Sequence, residues 1–317
     1  MTKKKKAPTV KNKKFIPDVA GAVKNLSTVR DFVRYAVSCF NKTDLFYGHG
    51  TFTPFDEAVF LVLEGLKLPI DQLEPYYDAK LLPDEKKRLA TLIRERVVTR
   101  KPVPYLVNRA YLQGIPFYVD ERVIVPRSYI AELLFKDISE GEMGLIEDPQ
   151  AVTSVLDLCT GSGCLAVLAS ELFPEATVDA VELSPDAHAV AQINFAHAQH
   201  KDRLTLYKGD LFAPVKNKTY DLIITNPPYV DADDMKDMPP EYGHEPEMAL
   251  AAGKDGLDIV RRIMKEAPKH LKEGGSMICE VGYGRELIEK TWPDVPFLWL
   301  DTENSYGEVF WLNKDQF

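Results

Sequence analysis

The sequence predicts an α/β fold: a mostly parallel, seven-stranded sheet covered on both faces by helices, with a small helical domain and a β-hairpin bridge in front of it. Three observations predict it. From about residue 150 onward, short apolar runs without polar alternation, the mark of strands buried on both faces, alternate with helix-length segments. A glycine turn, Gly161-Ser162-Gly163, separates the first such run from its helix. The first hundred residues lack this alternation and space their apolar side chains three and four apart.

The elements follow in chain order. Thr28 and Asp31 have the spacing of a capping box, and Val29, Phe32, Val33, Ala36, Val37 and Phe40 then form the apolar stripe of a helix. Thr53-Pro54 with Asp56 marks a second helix start, and Ala58, Val59, Leu61, Val62 and Leu66 continue it until Pro69. A third helix fits 84–99, with Leu89, Leu92, Ile93 and Val97 on one side; Pro102 and Pro104 end it. Between 109 and 125 the period shortens. Tyr111, Pro116-Phe117-Tyr118-Val119 and Val123-Ile124-Val125 predict two or three short strands around turns. A short helix over 129–136 and a polar loop over 140–150 lead into the alternating region. There, strands fit 155–158, 177–181, 204–206, 222–224, 276–281, 297–300 and 308–312, and helices fit 164–172, 186–198, 257–270 and 285–290. Only a short turn joins the last two strands, so they must run antiparallel. The chain thus divides into a basic, disordered tail (1–14), a helical domain (15–104), a hairpin bridge (105–127) and an α/β domain (128–317).

Composition narrows the function classes. Hydrophobic residues at 45% and charged residues at 27% are those of a soluble protein. No apolar run approaches the roughly 18 residues of a membrane span. No apolar core follows Lys3-Lys4-Lys5-Lys6 before Phe15, which argues against a secretory signal. The net charge of −9 is uneven: the first fourteen residues hold seven lysines and no acid, and the remainder carries 32 basic against 48 acidic residues. Such an acidic body is unsuited to a nucleic-acid backbone and suits a basic protein partner, which leaves direct nucleic-acid contact to the lysine tail alone. Cys39, Cys159, Cys164 and Cys279 read as small thiols in a reducing cytosol, and neither they nor the six histidines have a metal-ligand spacing. Trp292, Trp299 and Trp311 gather in the last strands as core or interface residues.

The glycine turn carries the first chemistry. Gly161 and Gly163 permit a tight turn and close approach of a nucleotide-like ligand to a helix N-terminus. Glu182, 19 residues beyond Gly163, ends the second strand where a carboxylate accepts both hydroxyls of a ribose, the geometry of a Rossmann-like site. Gly161, Gly163 and Ala166 also satisfy the dinucleotide pattern G-x-G-x-x-A, so an NAD enzyme is the alternative. Two acids favour S-adenosylmethionine instead. Asp157, at the end of the first strand, could face the amino end of a methionine moiety but would repel a pyrophosphate. Asp210 could accept an adenine amino group, with Leu211 beside the ring. Their simpler roles are a loop-organising carboxylate and a helix cap.

Asn226-Pro227-Pro228-Tyr229 follows the fourth strand directly, at the edge where open sheets bind ligands. An amide nitrogen is a poor nucleophile because its lone pair is delocalised into the carbonyl. The Asn226 side-chain oxygen and the Pro227 carbonyl could each take one N–H of a planar NH2 group and hold its nitrogen in line with a sulfonium methyl. Pro227 and Pro228 add no competing N–H donors, and the Tyr229 ring offers a face for the amide plane. The tetrapeptide specifies a planar NH2 acceptor, either a carboxamide or an exocyclic amine of a nucleic-acid base.

Four stretches, Val125-Pro126-Arg127-Ser128, Leu156-Asp157-Leu158-Cys159-Thr160-Gly161-Ser162-Gly163-Cys164, Thr225-Asn226-Pro227-Pro228-Tyr229-Val230, and His244-Glu245-Pro246-Glu247-Met248-Ala249-Leu250 with Asp255-Gly256-Leu257, resemble the HemK-type protein-glutamine N5-methyltransferases. The resemblance covers nearly everything after Phe15. One bacterial branch of that family acts on peptide-release factors and the other, PrmB, on the large-subunit ribosomal protein L-three. The run from Phe117 to Ser128, Cys159-Thr160 and the insert 231–240 resemble the ribosomal-protein branch, whereas the release-factor branch typically reads Pro-Arg-Pro across 126–128. Tyr129 departs from the pattern, standing where proline is common. The resemblance implies a cytoplasmic enzyme on a class I methyltransferase sheet that uses S-adenosylmethionine and no metal. Asp157, Cys159, Thr160, Gly161, Ser162 and Gly163 would then hold the methionine part, Glu182 the ribose, and Asp210 with Leu211 the adenine. Asn226, Pro227, Pro228 and Tyr229 would hold the substrate glutamine, with Asn226 also bordering the cofactor. The N-terminal helices would recognise the protein partner, ribosomal protein L-three, free or during ribosome assembly.

Overall fold

A computed structural model of the chain describes residues 15–140, 144–303 and 305–317. The basic tail over 1–14 and part of the 140–150 loop therefore lie outside the described residues. The chain forms two units. One takes the described residues up to Tyr47 with Thr51–Leu106; the other takes Gly48–Gly50 with Val107–Phe317.

The first unit is helical. Asp18 caps α1 (Val19–Asn25) by accepting from the Gly21 N–H; seven residues were too few for a periodic signal in the sequence. The capping box of Thr28 and Asp31 forms in both directions at the start of α2 (Val29–Phe40), whose residues Val29, Phe32, Val33, Ala36 and Phe40 are buried. Thr53 caps α3 (Pro54–Leu66), which ends at left-handed Lys67 (φ 59°) rather than at Pro69. α4 (Pro83–Thr99) closes the same way on Arg100 (φ 63°). Pro102 and Pro104 do not simply end the helical region: a short α5 (Val103–Val107) follows, because proline is tolerated in a first turn whose N–H groups have no helical partner. Buried within this unit, the Arg96 guanidinium donates to Glu57 Oε1 at 2.6 Å and to the Phe46 and Arg100 carbonyls at 2.8 and 3.0 Å.

The second unit starts with a hairpin, β1 (Ala110–Leu112) against β2 (Ile115–Phe117), turned at Gln113-Gly114, both with positive φ. The third strand expected at Val123-Ile124-Val125 is absent. Val123 and Val125 are buried, but the Val125 N–H donates to the Glu245 carboxylate instead of a neighbouring strand. After α6 (Tyr129–Glu140) the chain alternates: β3 (Ser154–Leu158), α7 (Cys164–Leu172), β4 (Thr177–Glu182), α8 (Pro185–His197), β5 (Leu204–Lys208), β6 (Tyr220–Thr225), α9 (Asp234–Asp237), α10 (Asp258–His270), β7 (Leu271–Glu280), α11 (Arg285–Thr291), β8 (Leu298–Asp301) and β9 (Tyr306–Asn313). The seven strands from β3 onward form one sheet in the order β5-β4-β3-β6-β7-β9-β8. β5 through β7 run parallel, and β9 is antiparallel to both β7 and β8. This is the Rossmann-like α/β sheet expected from the sequence.

Adjacent residues of β3 point into different cores. Val155 packs with Ile130, Leu134, Ala166 and Val167, and Leu156 with Ile223, Val260, Ile263 and Met264. Helices therefore cover both faces, which is why the strand has no polar alternation. The chain order reverses beside β3, so β3 and β6 are neighbours although two strand–helix units separate them in sequence. That is the switch point at which open sheets bind ligands.

The Glu57–Arg96 pair gives a test of the helical unit. Glu57→Ala removes the carboxylate 2.6 Å from a buried guanidinium and should cost about 3–5 kcal/mol, read as a lower urea midpoint.

Candidate active site

Strand register brings the expected site residues to one edge. Leu158 at the end of β3 lies opposite Val181 of β4 and Thr225 of β6, and Glu182 lies opposite Lys208 of β5. Cys159, Glu182 and Asn226 therefore leave three adjacent parallel strands at nearly the same level.

The turn after β3 is shaped by carboxylates. Asp157, 1% exposed, accepts from Thr160 Oγ1 at 2.5 Å and the Ala166 N–H at 3.0 Å, both through Oδ2. It is thus the loop-organising carboxylate that the simpler reading proposed. Its second oxygen, Oδ1, is buried without a hydrogen-bond partner. Burial raises the Asp157 carboxyl to about 7, against the two hydrogen bonds that favour its charged form. Glu182 is also buried and accepts the Gly161 N–H at 2.8 Å on one oxygen and the Ser184 N–H at 2.7 Å on the other. Each of its oxygens keeps a second lone pair for a ligand hydroxyl. A side chain at Gly163 (φ 82°) would place its Cβ 2.5 Å from the Phe195 ring, so only glycine fits there.

Cys159 (φ 58°) and Leu211 (φ 46°) are left-handed without being glycine. Such backbone persists where the surroundings over-determine it, which is common at ligand sites. Leu211 is buried, but Asp210 caps no helix: its carboxylate pairs with Arg262 of α10 at 2.6 Å, both side chains half exposed.

The Thr225 hydroxyl donates to the Leu158 carbonyl at 3.0 Å and ties the end of β6 to the end of β3. Asn226 follows half-buried, Pro227 buried, and Pro228 and Tyr229 half-buried. Val230 then bonds to the Leu250 carbonyl and receives Ala252, so the insert returns beside the motif. Two glycines make room for it. A Cβ at Gly256 would lie 2.5 Å from the Tyr229 carbonyl oxygen, and one at Gly282 would lie 2.7 Å from the Tyr229 ring.

Glu280 and Asn194, passed over in the sequence, complete the edge together with Arg127 and Glu245, whose motifs had no assigned role. Glu280, at the end of β7 and 2% exposed, accepts Ser128 Oγ at 2.6 Å and the Tyr129 N–H at 2.9 Å on Oε2, and Tyr229 Oη at 3.2 Å on Oε1. Burial raises its carboxyl, opposed by these three donors. Proline at 129 could not make the second bond, so the departure at this position adds a contact. Glu245 accepts Arg127 in a bidentate pair at 2.5 and 2.7 Å and holds the Val125 N–H; Arg127 in turn lies over the Tyr242 ring. Asn194 of α8 donates to the Ser162 and Tyr118 carbonyls and accepts the Tyr118 N–H at 2.8 Å. The two motifs containing Arg127 and Glu245 were visible in the sequence, but their pairing across 118 residues was not. An acid ending a buried central strand is the signal that would have found Glu280.

The edge fits S-adenosylmethionine. Asp157 Oδ1 is an orphan acceptor suited to an ammonium group and unsuited to a pyrophosphate. Because its folded-state value is raised, the free chain loses stability as pH climbs from about 4 to about 7, and a cation at Oδ1 restores it. Affinity for S-adenosylhomocysteine should therefore fall about tenfold per pH unit below about 7 and be flat above about 8. Calorimetry near pH 6 in buffers of different ionisation heat should show release of about one proton, and Asp157→Asn should abolish both effects.

Comparisons with known proteins identify the family. A family model described as "Methyltransferase small domain" matches residues 138–239. A ribosomal protein uL3 glutamine methyltransferase of Bradyrhizobium diazoefficiens is 56% identical over 289 residues, covering 90% of this chain and 91% of that protein. Proteins of the same name are 50% identical in Burkholderia pseudomallei, covering 91% of this chain and 95% of that one, and 48% identical in Bordetella pertussis, covering 92% and 96%. With such identity along nearly its whole length, the chain belongs to the family of ribosomal protein uL3 glutamine methyltransferases.

Proposed function

We propose that this chain transfers a methyl group from S-adenosylmethionine to the side-chain amide nitrogen (N5) of a glutamine in ribosomal protein uL3, the protein called L-three above. The single observation that carries the reading is the position of Asn226 and Pro227: they leave β6 beside the turn after β3, fastened there by the bond from Thr225 to Leu158. The names of the relatives favour uL3 over a release factor as the acceptor.

The residues divide the work as follows. Asp157 takes the cofactor's ammonium at Oδ1, Cys159, Thr160, Gly161, Ser162 and Gly163 wrap its methionine part, and Glu182 accepts the ribose hydroxyls. Leu211 flanks the adenine, and Asp210, steadied by Arg262, accepts the adenine amino group. When bound, S-adenosylmethionine supplies an electrophilic methyl on a positively charged sulfur. Asn226 Oδ1 and the Pro227 carbonyl each accept one N–H of the substrate amide, and Tyr229 lies against its plane. This hold turns the nitrogen lone pair out of conjugation and toward the methyl. Formation of the N–C bond would break the methyl–sulfur bond and leave neutral S-adenosylhomocysteine. The nitrogen, acidic only from that point, would lose one proton to solvent, so no strong base is needed. Positioning supplies most of the acceleration, worth up to about 7–11 kcal/mol in favourable systems.

Charge supports a basic protein partner. Residues 107–317 carry 19 basic against 36 acidic side chains, and 15–106 carry 13 against 12. The acid is thus concentrated on the part of the chain that holds the site, which favours a positively charged protein and disfavours bare nucleic acid. We assign partner recognition, of free uL3 or of uL3 during ribosome assembly, to the helices within 15–104, the link to the site to 105–127, and catalysis to 128–317. Among the described residues no helix is long and apolar enough to cross a membrane, and we place the enzyme in the cytoplasm.

Asn226→Ala should lower methylation of uL3 at least about a hundredfold while S-adenosylhomocysteine affinity changes by no more than about threefold. Normal turnover in that variant would refute the assigned role. An acceptor with glutamate at the target position should react at least about 10⁴-fold more slowly, because a carboxylate has no N–H for either oxygen. Mass spectrometry of uL3 from cells with and without this chain should show one added methyl on a glutamine only where the chain is present.

A further inference from the structure

We propose that Glu280 is a positioning residue for the substrate amide, holding the Tyr229 ring through its hydroxyl and referring that ring to the sheet. The proposal rests on the assignment of 226–229 as the turn that grips the amide.

Two constraints meet on Tyr229. Gly282 lies so close to one edge of the ring that any side chain there would have to displace it. The hydroxyl at the far end donates to Glu280 Oε1 at 3.2 Å. A contact at one edge and a hydrogen bond at the tip fix both the place and the tilt of a flat ring.

Glu280 is itself immobilised. Its other oxygen accepts Ser128 Oγ and the Tyr129 N–H, at the start of α6. The carboxylate is buried at the end of β7 and all three donors are neutral, so their directed hydrogen bonds set where it sits. The tyrosine against which the amide lies is therefore anchored to a central strand and to the 127–129 loop, not only to its own proline turn.

The competing account is a buried acid that merely satisfies nearby donors. Such a residue would affect folding and cofactor binding along with turnover. A positioning residue lowers turnover without lowering cofactor affinity, since no atom of Glu280 is needed to bind the cofactor.

Glu280→Gln, Tyr229→Phe and the double variant of the full chain separate the two. The measurements are kcat and KM with the protein acceptor, S-adenosylhomocysteine affinity by calorimetry, and the melting transition. Glu280→Gln should lower kcat about 10- to 100-fold, the worth of one hydrogen bond to a charged group, and leave cofactor affinity within about twofold. Tyr229→Phe, which removes only an oxygen, should give a loss of similar size. The double variant should be no slower than the slower single variant, because both remove the same contact. Wild-type kcat in Glu280→Gln would overturn the proposal. So would fully additive losses, or a fall in kcat matched by falls in cofactor affinity and melting temperature. In each of those cases a silent Asn226→Ala would leave the methyl-transfer reading standing, whereas an active Asn226→Ala would remove that reading and this proposal together.

Discussion

Negative charge buried at one edge of a parallel sheet is the constraint around which the molecule is organised. Asp157, Glu182, Glu245 and Glu280 are all buried there. Carboxylates in such a place are costly unless directed donors surround them. Three of the four are held by N–H and O–H groups alone, drawn from Gly161, Ser184, Thr160, Ala166, Ser128, Tyr129 and Tyr229. Only Glu245 has a guanidinium, that of Arg127. Those donors lie in or beside the turns that form the site, so holding the acids and shaping the turns are one event, with Asp157 Oδ1 alone left open. A site built this way is rigid before any ligand arrives, as catalysis by placement requires.

The fold was legible in the sequence because its signals are local and repeated. Strands buried on both faces show as unbroken apolar runs, and every expected strand from 155 onward is present. Five are extended at one or both ends, 276–281 starts earlier but stops at Glu280, and 297–300 is shifted by one residue to 298–301. The antiparallel closing pair followed from a turn too short for a crossover. Errors arose where a backbone group found an unexpected partner. Val123-Ile124-Val125 has the composition of a strand, yet a carboxylate 120 residues away takes the amide that a neighbouring strand would have claimed. α1 and α5 are too short to show a period.

The site was legible as motifs and illegible as contacts. Asp157 and Asn226 could be singled out because each ends a strand beside a turn of unusual composition. Sequence spacing cannot show that Thr225 reaches Leu158, that Arg127 meets Glu245, or that Arg262 covers Asp210. Those pairings depend on which strands become neighbours. They also explain two motifs that otherwise have no evident chemistry, the Pro-Arg-Ser loop and the His-Glu-Pro segment: Arg127 of the first meets Glu245 of the second, and Ser128 meets Glu280, which also holds the Tyr229 hydroxyl.

Asn194 has a consequence in time rather than space. Its single carboxamide joins the Ser162 carbonyl, 32 residues earlier, to both backbone groups of Tyr118, 76 residues earlier. Contacts of that sequence separation form late, after the chain between them has been ordered. During synthesis, the glycine turn emerges well before the residue that braces it. A growing chain therefore acquires a braced glycine turn only after α8 has left the ribosome and docked, by which point two of the seven strands of the large sheet, β3 and β4, have been made.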